Sequence, residues 1–265
     1  MGNWLGLDDR VVLVTGGASG IGRRAVQSLQ EGGATVVIAD MNVETGDELD
    51  GAFCIKCNVT DPESVKAMVD LIVEKYGRLD GLFNNAGINR PCLLVDVEGK
   101  HPEYELNLGI YEAVFGVNCK GLFLVAQACA RQMIKQGKGV IVNASSASGK
   151  EGSEGQSVYP ATKGACDSFT RSWAKELGKY GIRVVAVAPD IMEATALRSQ
   201  AYNEALAFTR NKKVEDLDGD YSKSVPVGRA GYLYEVGDTV AYLMSDHAGY
   251  ISGTTINISG GKSRG

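Results

Sequence analysis

The chain has 265 residues, with 27 lysines and arginines against 32 aspartates and glutamates, a net charge of −5 and no basic run. That balance argues against nucleic acid and an anionic membrane as partners and leaves a small-molecule substrate. The N-terminal Met1-Gly2-Asn3-Trp4-Leu5 lacks a basic segment followed by an apolar one, and no uninterrupted apolar run reaches bilayer length, so a cytoplasmic protein with no membrane contact is expected. In chain order, Val11 to Thr15 is a β-branched strand that runs directly into Thr15-Gly16-Gly17-Ala18-Ser19-Gly20-Ile21-Gly22 and then a helix over Ile21 to Glu31. Strands follow at Thr35 to Asp40, Phe53 to Cys57, Leu79 to Asn84, Gly139 to Ser145, Arg183 to Ala188 and Thr254 to Ile258. Between them lie helical patterns at Pro62 to Tyr76, Ile110 to Lys135, Val158 to Tyr180 and Glu235 to Ser245. This alternation predicts an α/β fold, one doubly wound domain over 1–265 with a parallel sheet covered on both faces. A polar stretch at about 190–227, including Lys212 to Asp220, interrupts the pattern; it reads as a substrate loop or as a surface excursion.

Strand, glycine-rich turn and helix form a dinucleotide site, because glycines let the backbone approach a pyrophosphate and the helix N-terminus offers free N–H groups. Asp40 ends the second strand, where a carboxylate reaches the adenosine ribose and repels a 2′-phosphate. NAD is therefore expected over NADP, while Arg23 keeps NADP use open. Cys54 and Cys57 form C-x-x-C inside a strand, where residues three apart face opposite sides; with only two histidines, no metal site is expected.

Tyr159 and Lys163 are spaced one helical turn apart, thirteen residues after Ser146. A phenol with an ordinary pKa of about 10 exchanges protons poorly at neutral pH, but an ammonium at i+4 favours the phenolate, and a nearby serine can hold a carbonyl or alcohol oxygen. Alone, this spacing also fits an exposed tyrosine beside a solvated lysine.

Thr15-Gly16 to Gly22, Asn84-Asn85-Ala86-Gly87, Asn118, Ser146, and Tyr159 with Lys163 together resemble, in order, the motifs of the short-chain dehydrogenase/reductase family. The resemblance implies a Rossmann fold with seven strands in the order 3-2-1-4-5-6-7, a homotetramer or dimer, and NAD as cofactor. It further implies that Ser146 orients the substrate oxygen, Tyr159 gives or takes its proton, Lys163 holds the nicotinamide ribose, and Asn118 completes a water-linked relay. Cofactor contacts would come from Gly16, Ser19, Gly20, Ile21, Gly22, Asp40, Asn58, Val59, Asn85, Ala86, Gly87, Tyr159, Lys163, Pro189, Ile191 and Thr195. Two departures stand out. Asn58 replaces the usual aspartate near the adenine, and Asp190 replaces the glycine that usually follows Pro189 near the nicotinamide.

Lys150, in Ser148-Gly149-Lys150-Glu151-Gly152-Ser153, borders the expected pocket and suits a phosphate or carboxylate on the substrate; it equally suits a solvated loop. This stretch, with Ser252-Gly253 to Gly261, resembles family members acting on polyol phosphates, so the expected reaction interconverts a secondary alcohol and a ketone on a sugar or polyol phosphate. The substrate-binding set is Ser146, Lys150, Tyr159 and Arg198, with Lys100 and Arg229 as further phosphate candidates. Other polyol, diol or 3-oxoacyl substrates remain alternatives, as does a non-catalytic NAD-sensing protein.

Overall fold

Five aliphatic and β-branched residues make β1 (Val11–Thr15), buried along its whole length as a central strand covered on both faces must be. In the computed structural model, which describes residues 4–195, 197–217 and 221–263, β1 is followed by α1 (Gly20–Glu31), β2 (Thr35–Asp40), β3 (Glu48–Leu49), β4 (Ala52–Lys56), α2 (Pro62–Tyr76) and β5 (Gly81–Asn84). The chain continues through α3 (Leu108–Phe115), α4 (Leu122–Gln136), β6 (Gly139–Ala144), α5 (Ser148–Glu151), α6 (Val158–Leu177), β7 (Ile182–Pro189), α7 (Gln200–Thr209), α8 (Leu233–Met244) and β8 (Thr255–Ile258).

The strands lie in the order β3-β4-β2-β1-β5-β6-β7-β8. Without β3 this is the expected parallel 3-2-1-4-5-6-7 arrangement. The additional strand, β3, is a two-residue antiparallel edge, pairing Glu48 with Phe53 and Leu49 with Ala52; two residues are too few to leave a period in the sequence. Alternation along β1 divides the core. Val12 and Val14 pack with Ala25 and Leu29 of α1 and Val236 and Val240 of α8, while Val11 and Leu13 pack with Val65 and Met68 of α2 and Val125 and Cys129 of α4. Cys54 belongs to the first cluster and Cys57 to the second, so the C-x-x-C pair is split across the sheet and burial pushes both thiols up. Among the described residues, no group of three His, Cys, Asp or Glu side chains could hold a metal.

Two sequence expectations change. The stretch read as one helix over Ile110 to Lys135 is α3 and α4 joined by a π-helical segment, Gly116–Gly121. Together they form a continuous Leu108–Gln136 helix that is long and apolar enough to cross a bilayer by length and composition, although Glu112, Lys120, Arg131 and Lys135 interrupt it, so it contains no uninterrupted apolar run of that length. Its Val125, Cys129 and Met133 are buried against the sheet. The second change concerns 190–227, which is not a bare loop but contains α7, with the Ser199 hydroxyl capping its N-terminus by accepting from the Tyr202 N–H at 3.2 Å. Of the charged stretch Lys212 to Asp220, positions 218–220 lie outside the described residues, as do 1–3, 196, 264 and 265 of the expected 1–265 domain.

Candidate active site

The carboxyl ends of the parallel strands open on a cleft of about 810 Å3, at the point between β1 and β5 where the strand order reverses. Gly16 and Gly20 have φ of +64° and +54°, the left-handed region that favours glycine. A side chain on Gly22 would collide with the Gly16 carbonyl and the Asn85 amide. The turn can therefore fold tightly and aim the N-terminus of α1 into the cleft. Its free N–H groups and positive dipole end suit a pyrophosphate, and Ser19 at the N-cap makes no side-chain bond to the helix. Asn85 fixes the turn from across the sheet: its Nδ2 donates to the Thr15 and Gly16 carbonyls at 3.0 and 3.2 Å. The backbone N–H groups of Asn85 and Ala86 both donate to Thr15 Oγ1 at 3.0 Å. Thr195 faces Gly20, 3.4 Å from where a Cβ would stand.

At one end of the cleft, Asp40 accepts from the Ala18 N–H at 3.2 Å and the Asn42 N–H at 3.0 Å. Asn58 Oδ1 accepts from the N–H and hydroxyl of Thr60 at 3.0 and 2.9 Å, a local turn that holds Asn58 and Val59 at the wall. Arg23 is held elsewhere, donating twice to Asp50 at 3.0 and 3.1 Å.

At the other end, α6 presents Tyr159 and Lys163. Lys163 is buried, its Nζ donates to the Ala144 carbonyl at 2.6 Å, and it lies 5.3 Å from the Tyr159 ring centroid. Ser146, just past β6, donates to the Pro189 carbonyl at 3.3 Å and accepts from the Ser148 hydroxyl at 3.0 Å. Asn118 lies in the π-helical segment, whose widened turn directs its amide toward the neighbouring loop and helix. Its Nδ2 donates to the Ile88 carbonyl at 2.9 Å and to Thr162 Oγ1 at 3.1 Å, and its Oδ1 accepts from the Ile88 N–H at 2.9 Å. The amide is fully engaged in joining the β5 exit loop to α6. Beneath the site, buried Asn84 donates to the Leu122 carbonyl at 2.8 Å, and Asn143 donates to Thr170 of α6 at 3.0 Å. Such satisfied buried polar bonds fix the register of the helix against the sheet.

Every cofactor-side residue named from the sequence lines this one cleft, as do Ser146 and Arg198. Lys150 does not. It is exposed on α5, because Gly149 is the residue turned onto α6, 2.8 Å from the Lys163 carbonyl carbon at the Cβ position. Lys100 pairs with Glu98 at 2.7 Å and Arg229 with Glu235 at 2.7 Å, both away from the cleft. Asp190 lines the cleft and pairs with Lys262 at 3.3 Å, so its carboxylate does not enter uncompensated. Sequence reasoning missed Asn89, Gln156, Tyr202 and Arg210, all at the wall of the cleft. The N-cap Ser199 ahead of an apolar helical run was the signal that could have placed Tyr202 on a helix.

A family model described as enoyl-(acyl carrier protein) reductase matches residues 16–263. The chain is 53% identical to sorbitol-6-phosphate 2-dehydrogenase of Klebsiella pneumoniae, across 100% of both chains. The chain belongs to the short-chain dehydrogenase/reductase family. A second relative, the 3-oxoacyl-(acyl-carrier-protein) reductase FabG of Thermotoga maritima, is 38% identical over 96% of this chain and 98% of its own. Among solved structures, the 3-ketoacyl-(acyl-carrier-protein) reductase of Brucella melitensis complexed with NADH superposes with a TM-score of 0.80 at 28% identity, covering 97% of this chain and 99% of that one. Short-chain dehydrogenases/reductases bind NAD(P), and the protein is an oxidoreductase of this family with a small-molecule substrate.

Proposed function

We propose that the protein is an NAD-dependent dehydrogenase interconverting D-sorbitol 6-phosphate and D-fructose 6-phosphate. The observation that carries this reading is a cleft with Ser146, Tyr159 and Lys163 at one wall and two arginines, Arg198 and Arg210, also lining it, in a chain with 53% full-length identity to a sorbitol-6-phosphate 2-dehydrogenase. The cation that receives the phosphate moves from Lys150 to these arginines, whose planar guanidinium groups match phosphate oxygens in pairs.

Ser146 holds the reacting oxygen by its hydroxyl, and Tyr159 removes the alcohol proton as the carbon gives up its hydride. When bound, the nicotinamide supplies the hydride acceptor. The buried Lys163 ammonium offsets the negative charge that develops on the phenol oxygen, because burial leaves little water to screen the pair. Asn118 keeps α6 and the β5 exit loop in register, which holds Lys163 beside Gly87. Two features support NAD over NADP: the Asp40 carboxylate repels a 2′-phosphate, and the Arg23 guanidinium is engaged by Asp50.

The test is an assay of purified protein with NAD and with NADP on D-sorbitol 6-phosphate and on free D-sorbitol. Faster reduction of NAD with the phosphorylated substrate is expected. A preference for free sorbitol would reject the phosphate reading, and cofactor binding without turnover of any alcohol would favour a sensing role.

A further inference from the structure

A directional chain of hydrogen bonds runs along the α7 wall of the cleft. Arg210 Nη2 donates to Ser153 Oγ at 3.0 Å, and the Ser153 hydroxyl donates to Gln156 Oε1 at 3.0 Å. With its oxygen so occupied, the Gln156 amide turns its nitrogen to Tyr202, donating to the phenol oxygen at 2.6 Å. Asn89 Nδ2 donates to the same phenol oxygen at 3.2 Å. Two donors use the acceptor capacity of the Tyr202 oxygen, so its own proton is left to give. Burial pushes the Tyr202 phenol up, which keeps that proton in place across neutral and mildly alkaline pH. Asn89 Oδ1, on the amide that meets Tyr202, is buried and has no hydrogen-bond partner. An acceptor left in that state is destabilising, so a donor that completes it recovers the missing bond.

Asn89 and Tyr202 both line the cleft that holds Tyr159, so this wall brings together one O–H donor and one unsatisfied carbonyl acceptor. A hydroxyl is the simple group that satisfies both, accepting from Tyr202 and donating to Asn89. A carbonyl or ether oxygen would serve only the first, and a methylene neither. The wall is also well supported. Cys92 N donates to the Gly155 carbonyl at 2.8 Å, Thr209 of α7 packs where any side chain on Gly155 would stand, and Gln156 lies one turn before Tyr159, whose N–H donates to its carbonyl at 2.9 Å.

We infer that Asn89 and Tyr202 form a subsite that reads a hydroxyl of the substrate other than the one being oxidised, with Gln156, Ser153 and Arg210 as positioning residues. The inference rests on the reading of the cleft as a dehydrogenase site and adds which substrates it favours, namely vicinal diols and polyols over simple alcohols.

The test compares butane-2,3-diol with butan-2-ol, which differ by one hydroxyl, using NAD and the native chain, Tyr202→Phe and Asn89→Ala; NADH binding and circular dichroism check that each variant is folded. The native chain should favour the diol by about tenfold or more in kcat/KM, since a site built to bond a hydroxyl strongly rejects the analogue without it. Each variant should bring the ratio to within about twofold of unity. No diol preference in the native chain, or a preference surviving in both folded variants, overturns the subsite. Turnover of D-sorbitol 6-phosphate is read separately. Its absence together with a diol preference lost in the variants rejects the proposed substrate and keeps the subsite, whereas turnover of no alcohol at all overturns both.

Discussion

Arg23 grips Asp50 through two hydrogen bonds, at 3.0 and 3.1 Å, and so lies across α1 toward the turn between β3 and β4. Asp50 also accepts from Gln27 Nε2 at 3.2 Å, and the arginine holds its carboxyl below the usual aspartate range. Removing the carboxylate in Asp50→Ala frees a guanidinium near the adenosine end of the cleft, where it can meet a 2′-phosphate. The kcat/KM ratio of NADP to NAD should rise about 1.5- to 5-fold, the scale of one exposed charge pair. An unchanged ratio would show that Arg23 does not reach the cofactor.

Tyr159→Phe removes one hydroxyl and leaves the ring against Lys163. Turnover should fall by about 10^3-fold or more, because general acid–base transfer by a placed group contributes on the order of 10^2–10^4-fold. The NADH dissociation constant, followed by the fluorescence of the bound cofactor, should change by less than about threefold. Appreciable residual turnover would remove Tyr159 from proton transfer.

Arg210→Gln keeps a donor for Ser153 but deletes the charge. The kcat/KM on D-sorbitol 6-phosphate should drop about 10- to 100-fold, the range of a charge-assisted bond, and the drop on free sorbitol should be several times smaller. Equal losses on both would place the phosphate elsewhere.

Glu235 carries a pH signature outside the cleft. Its carboxyl, held by Arg229 and by the Tyr232 N–H, is depressed from 4.5 to about 2. A depressed carboxylate contributes stability that is present above 4.5 and is lost as pH falls toward 2. Glu235→Gln should lower Tm by about 1–3 °C at pH 7, a small value for a half-exposed pair. The difference from the native protein should shrink through that acid window in thermal melts at stepped pH, and a constant difference would mean that charge is not its source.

The fold and the layout of the cleft were legible where information is local. The turn from Gly16 to Gly22 and the Tyr159–Lys163 spacing are fixed by neighbours a few residues apart, and β1 has only one sensible environment. Asn118 was recognisable by resemblance, but its setting was not, since a π-helical segment of six residues, Gly116–Gly121, shifts the apolar period over too short a stretch to stand out from its flanking helices. Lys150 and Arg210 show the opposite limit. Which cation faces the cleft depends on how Gly149 seats α5 against α6 and Gly155 seats α7, contacts between segments far apart in the chain. Tyr202 was hidden by the polar residues around it, which outweighed the short apolar run of α7.

The contact at Gly149 also ties the segment that carries Ser146 to the helix that carries Tyr159 and Lys163. With 2.8 Å between the would-be Cβ and the Lys163 carbonyl carbon, the backbone carrying Ser146 and Ser148 rests directly on the helix carrying Tyr159 and Lys163, with no side chain between them to flex. A direct backbone contact of this kind favours a mutual geometry of Ser146, Tyr159 and Lys163 that is set on folding, the preorganisation that lowers the rearrangement a looser site would require.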